Sequence, residues 1–111
     1  MNYLYHILIA LFFFCYGLCY GQVSVIHFNS EWNADNNFDI SVLKDCDIDS
    51  VIICHDADLK EKHKIKSVPT IIVFDEEQEV ARFEGNIMMQ LEATKKDIQD
   101  EIKKIYLAKF E

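Results

Sequence analysis

Cys54-His55-Asp56-Ala57-Asp58 gathers a thiol, an imidazole and two carboxylates into five residues. These are the side chains that ligate transition metals or activate a nucleophile. Metal chemistry needs the donors to converge. The β-branched run Ser50-Val51-Ile52-Ile53-Cys54 predicts a buried strand, and neighbours on a strand point to opposite faces. Cys54 and His55 are therefore not expected to share an ion, and the sequence holds no second cluster with zinc spacing. No metal, no cofactor and no catalytic residue are assigned.

The other thiols are Cys46, Cys15 and Cys19. Cys46 precedes the strand that Cys54 ends. Five strand residues span roughly 16 Å, whereas a disulfide needs Cα atoms about 4.4–6.8 Å apart. Two buried free thiols are expected instead. His27 lies in an apolar strand and is expected to be a hydrogen-bonded core residue rather than a catalyst; His63 lies among lysines and is expected to be solvated.

The elements that must position these groups follow from periodicity. Residues 22–29 alternate, with Val23 and Val25 on one face and Ile26 and Phe28 on the other, as in a central strand covered on both sides. Asn33 to Asn37 is turn and cap chemistry. Phe38, Val42 and Cys46 then recur at helical spacing. Residues 58–64 predict a short polar helix. Residues 70–74 and 79–84 predict two strands joined by the turn Asp75-Glu76-Glu77-Gln78. Thr94, with Asp97 three residues on, predicts a helix start, and Ile98, Ile102 and Ile105 trace one face of that helix. The order is β-α-β-α-β-β-α, an α/β chain with a central mixed sheet flanked by helices.

The chain has 111 residues with 19 acidic against 11 basic side chains, a net charge of −8. One domain fits that length. Such acidity excludes nucleic acid as a partner and argues against an anionic membrane surface.

The first 21 residues carry no Asp, Glu, Lys or Arg. Residues 7–20 form a nearly unbroken apolar run, short of the roughly 20 residues of a membrane span and suited to a secretory signal cleaved after Gly21. The expectation is a signal peptide over 1–21, a domain over 22–111, and export to a periplasmic or extracellular space. No Lys or Arg precedes the apolar run, so an uncleaved anchor over residues 3–20, and with it a membrane attachment, stays open as the alternative.

Two stretches resemble one family. Val25-Ile26-His27-Phe28-Asn29-Ser30-Glu31-Trp32 is similar to the thioredoxin strand that delivers the redox pair. Lys66-Ser67-Val68-Pro69-Thr70, followed by Ile71-Ile72-Val73-Phe74, is similar to the cis-proline turn and strand of that family. The resemblance spans roughly Val23 to Ile105 and implies a thioredoxin-like fold in its minimal form, without the extra N-terminal strand and helix of full-length members. It also exposes a departure. Where the family has Cys-x-x-Cys after the tryptophan, this chain has Asn33-Ala34-Asp35-Asn36, and His27 takes the place of a buried carboxylate. An amide supplies no thiolate and forms no mixed disulfide.

The resemblance thus implies an exported domain without dithiol redox activity. It is similar to the compact exported thioredoxin-like proteins of Gram-negative bacteria, whose compartment would be the periplasm. The lead expectation is a protein- or peptide-binding accessory module of the cell envelope that uses the family's substrate groove: Trp32, Asn33, Asn36, Val68, Pro69 and Gly85. Met88 joins them from Asn86-Ile87-Met88-Met89-Gln90-Leu91, which holds a few residues more than a thioredoxin there. Two alternatives remain. One is a thiol–disulfide oxidoreductase of another kind, using Cys54 and/or Cys46. The other is a structural remnant that supports an envelope partner through the Met88-Met89 loop.

Overall fold

Alternating apolar residues make strand β1, Val23–Asn29, the middle of a mixed sheet. A computed structural model describes residues 23–109. The expected signal or anchor segment, with its cleavage point, lies outside the described residues. Among the described residues no helix is long and apolar enough to cross a membrane.

Strands β2 (Asp47–Ile52), β3 (Thr70–Asp75) and β4 (Gln78–Glu84) complete a sheet of order β2-β1-β3-β4. β1 runs parallel to β2, with Asn29 opposite Ile52, and antiparallel to β3, with Ile26 opposite Ile72. β3 and β4 form the expected hairpin. Its two central residues, Glu76 and Glu77, both adopt left-handed backbone, at φ 53° and 70°. This is the geometry that lets a two-residue turn match the twist of its strands.

The alternation divides the core in two. Val23 and Val25 of β1 with Ile71 and Val73 of β3 face one side. There they meet Ile98 and Ile102 of the terminal helix, which spans Lys95–Lys109. Phe28 with Ile72 and Phe74 faces the other side and meets Ile53, Ile65 and Val68. The terminal helix starts as its sequence dictates. Asp97 N–H donates to Thr94 Oγ1 at 3.2 Å, and Thr94 N–H donates to Asp97 Oδ2 at 2.8 Å, a reciprocal capping box. A shorter helix, α1, spans Ala57–Lys62; the terminal helix is α2.

Four expectations need correction. After a 3-10 turn at Glu31–Asn36, the helix read from Phe38, Val42 and Cys46 is replaced by a single short 3-10 turn, Ile40–Val42. Asp39 accepts Ser41 N–H at 3.0 Å, and Asn37 and Leu43 take extended backbone, so local side-chain bonds displace the helical ladder. Phe38 and Cys46 still pack against the core, while Val42 is exposed.

The second strand begins three residues earlier than expected and lies at the sheet edge, mostly exposed rather than buried. The β-branched run does not finish as strand: Ile53–His55 is a third 3-10 turn. Cys54 on that turn is exposed, Cys46 is half-buried, and both are free thiols. His63 is half-buried rather than fully solvated. Its ring lies between Phe28 and Phe74, at centroid distances of 5.3 and 5.4 Å.

Candidate functional site

β1 delivers Asn29 and Ser30, both buried, to the start of the first 3-10 turn. Asn33 on that turn is also buried. A buried amide must fill its bonds, since an unmade one costs about 1–3 kcal/mol. Asn33 makes three of them, with both donors used. Its Nδ2 donates to Asn29 Oδ1 at 3.1 Å and to the Met89 carbonyl at 3.0 Å, and its Oδ1 accepts from Asn36 Nδ2 at 2.8 Å. Asn29 Nδ2 in turn donates to the Asn33 carbonyl at 3.0 Å and to Asn37 Oδ1. The outcome is an uncharged amide network that pins the loop at Met89, itself at φ 60°, against the end of β1.

Val68–Pro69, the one cis peptide among the described residues, faces the same region. Gly85 closes over it, donating its N–H to the Pro69 carbonyl at 2.7 Å. A Cβ on Gly85 would lie 2.4 Å from the Val68 carbonyl oxygen, so only glycine permits this approach. Between the turn and the Met89 loop runs a groove of about 480 Å³, lined by Trp32, Ile53, Cys54, Val68, Ile87 and Met89. Lys60 and Lys66 also line it. Trp32 is 66% exposed and Ile87 96% exposed.

The expected residues therefore divide. Trp32 and Val68 line the groove. Asn33 and Asn36 lie within the amide network, and Pro69 and Gly85 form the turn that holds Val68. Met88 is exposed, while its neighbours Ile87 and Met89 are the loop residues in the lining. Sequence reasoning missed Asn29, Ile53 and the two lysines. Asn29 had a signal: four asparagines, Asn29, Asn33, Asn36 and Asn37, fall within nine residues.

His27 lies beside the first 3-10 turn, and Cys46 lies just before β2, at the opposite end of the sheet. His27 Nε2 accepts the Phe38 N–H at 3.2 Å, and burial pushes its pKa below the ordinary value. The imidazole is thus neutral, with this lone pair already engaged, in keeping with the core role expected for it. Burial, reinforced by Asp47 and Asp45, pushes the Cys46 thiol up, away from the reactive thiolate.

No protein-family model and no curated protein matches the chain. Solved structures do. A mutant thioredoxin from Halobacterium salinarum superposes with a TM-score of 0.58 at 15% identity, over 77% of this chain and 75% of that one. Thioredoxin-2, described as a component of malaria parasite protein secretion machinery, gives 0.57 at 22% identity, over 76% and 84%. Thioredoxin 1 of Thermosipho africanus gives 0.57 at 17% identity, over 79% and 99%. With the mixed four-stranded sheet and the Val68–Pro69 turn, these likenesses establish that the chain has the thioredoxin fold.

Proposed function

We propose that this chain is an exported thioredoxin-fold module that binds an extended peptide segment of a partner protein and performs no dithiol exchange. The observation that carries the reading is the groove beside Val68–Pro69, walled by Trp32, Ile87 and Met89. Exposed aromatic and methionine side chains at the rim of a cleft are the usual anchors of peptide recognition. Among the described residues no hydrogen bond occupies the Val68 backbone, which leaves donor and acceptor for an extended strand. Lys60 and Lys66 in the lining of an otherwise acidic chain select an apolar segment that carries acidic residues. The resemblance places Asn33 and Asn36 where thioredoxins carry their thiols, and amides bonded to each other offer no nucleophile. Export rests on the apolar run of residues 7–20.

Trp32 is the only tryptophan in the chain, so its fluorescence reports on the groove. Titration with reduced, carboxymethylated insulin B chain, an extended apolar peptide with added acidic groups, should shift Trp32 emission. Binding followed by anisotropy of the labelled peptide should weaken at least tenfold in Ile87→Ala, Met89→Ala. Binding untouched by that change would remove the groove from the account.

Exposure of Cys54 in the groove favours one second reading, a thiol–disulfide oxidoreductase that works through this residue. Insulin-disulfide reduction in dithiothreitol decides it. Equal background rates for wild type and Cys46→Ser, Cys54→Ser retire that reading; activity lost in the variant would replace the binding reading.

A further inference from the structure

Glu31, Cys54 and His55 come from two turns that leave the same end of the sheet. Glu31 opens the 3-10 turn that follows β1, and Cys54 and His55 belong to the one that follows β2. Because β1 and β2 are parallel neighbours, their C-terminal ends lie side by side. The side chains of a 3-10 turn step by about 120° per residue rather than the 180° of a strand. Cys54 and His55 can therefore face a common point, which strand geometry would forbid. His55 Nε2 lies 3.2 Å from Glu31 Oε2, and one ligand atom of each of the three residues lies within 4.8 Å of the others.

We propose that Glu31, Cys54 and His55 bind one divalent transition-metal ion of the zinc type, at the edge of the groove that Cys54 lines. Tetrahedral zinc with bonds of about 2.0–2.1 Å to nitrogen and oxygen separates those ligands by roughly 3.3 Å. The His55–Glu31 distance already has that value. A sulfur bonded at about 2.3 Å sits roughly 3.5 Å from its neighbours, so the Cys54 side chain has at most about 1.3 Å to close, within the reach of a rotamer adjustment at an exposed position. Thiolate and carboxylate with a neutral imidazole carry two negative charges against a divalent cation. Sulfur and imidazole donors select zinc over magnesium or calcium, which take oxygen ligands. An exposed His–Glu pair alone would account for two of the residues and would leave the thiol's convergence unexplained. The site does not depend on the peptide reading and is tested with no peptide present.

Cobalt(II) is the probe, since thiolate ligation gives it a ligand-to-metal absorption in the near ultraviolet. The full-length chain carries Cys15→Ser and Cys19→Ser, so that Cys46 and Cys54 are the only thiols, and is kept reduced. One equivalent of cobalt should produce the band, and one equivalent of zinc should abolish it. Cys54→Ser should lose the band, Cys46→Ser should keep it, and Glu31→Gln or His55→Gln should weaken cobalt binding at least tenfold, with circular dichroism unchanged throughout. No thiolate band in the reduced protein, a band that survives Cys54→Ser, or one that needs Cys46 would overturn the proposal.

Discussion

Asn36 donates its side-chain N–H to Asn33 Oδ1 at 2.8 Å, so the two positions that the resemblance assigns to a redox pair are joined by an amide hydrogen bond. Asn33 also reaches the Met89 carbonyl, 56 residues away in sequence. The bond is therefore one link in a tether from β1 to the groove's loop. Truncating Asn33→Ala removes three side-chain bonds and leaves Asn29 and Asn36 short of a partner. It should lower unfolding free energy by about 2–3 kcal/mol and raise hydrogen exchange across residues 86–90. Urea melts with exchange mass spectrometry read both; exchange unchanged at the loop would break the tether argument.

Gly85→Ala should destabilise by about 1–3 kcal/mol, the range for overpacking. Its Cβ would meet the Val68 carbonyl oxygen at 2.4 Å and the Val68 carbonyl carbon at 2.8 Å, backbone atoms that cannot rotate aside. A denaturant midpoint equal to wild type would mean that the end of β4 shifts without penalty.

His27 sets a pH dependence whose sign is fixed. Burial lowers its folded pKa from an ordinary 6.5, so the unfolded chain takes up the proton first. Stability is full above the unfolded value and falls as pH drops below it toward the folded value. Protonation of Nε2 also ends its role as acceptor for Phe38 N–H. His63 shifts the same way, through burial first and then the charges of Lys62 and Arg82. His27→Gln should flatten the decline of the urea midpoint between pH 7 and pH 5 (with cobalt and zinc excluded by chelator) and leave the His63 share. An undiminished slope would assign the whole effect to other groups.

The Glu76-Glu77 turn puts two ordinary residues in left-handed backbone, at a cost of roughly 1–2 kcal/mol each. Glu76→Asn with Glu77→Gly should therefore raise unfolding free energy by about 1 kcal/mol or more, read as an upward shift in the thermal midpoint.

The sheet and the terminal helix were legible because their signals are local. Val23 to Phe28 alternates by face, and Thr94 with Asp97 caps a helix whose isoleucines share one stripe. The segment from Phe38 to Cys46 misled because three residues at helical spacing do not outweigh an Asp-x-Ser turn that closes its own hydrogen bonds. Cys54 misled for a related reason: β-branched composition shows that a segment is apolar and extended, and does not show where the strand gives way to a turn. Of the candidate site, Trp32, Val68, Pro69 and Gly85 were visible through resemblance. The amide network was not, because Asn33 to Met89 is a contact between distant segments that no spacing encodes.

The place of β1 has a consequence for how the chain comes into being. Among the described strands it is synthesised first, yet it lies between β2 and β3, and two of the isoleucines packed with Val23 and Val25 sit at 98 and 102. Until those later residues emerge, part of an apolar face waits without its native cover, the circumstance in which nascent chains attract chaperones or associate with one another. A chain stopped before residue 98 holds all four described strands and lacks the two isoleucines that finish one face of the sheet.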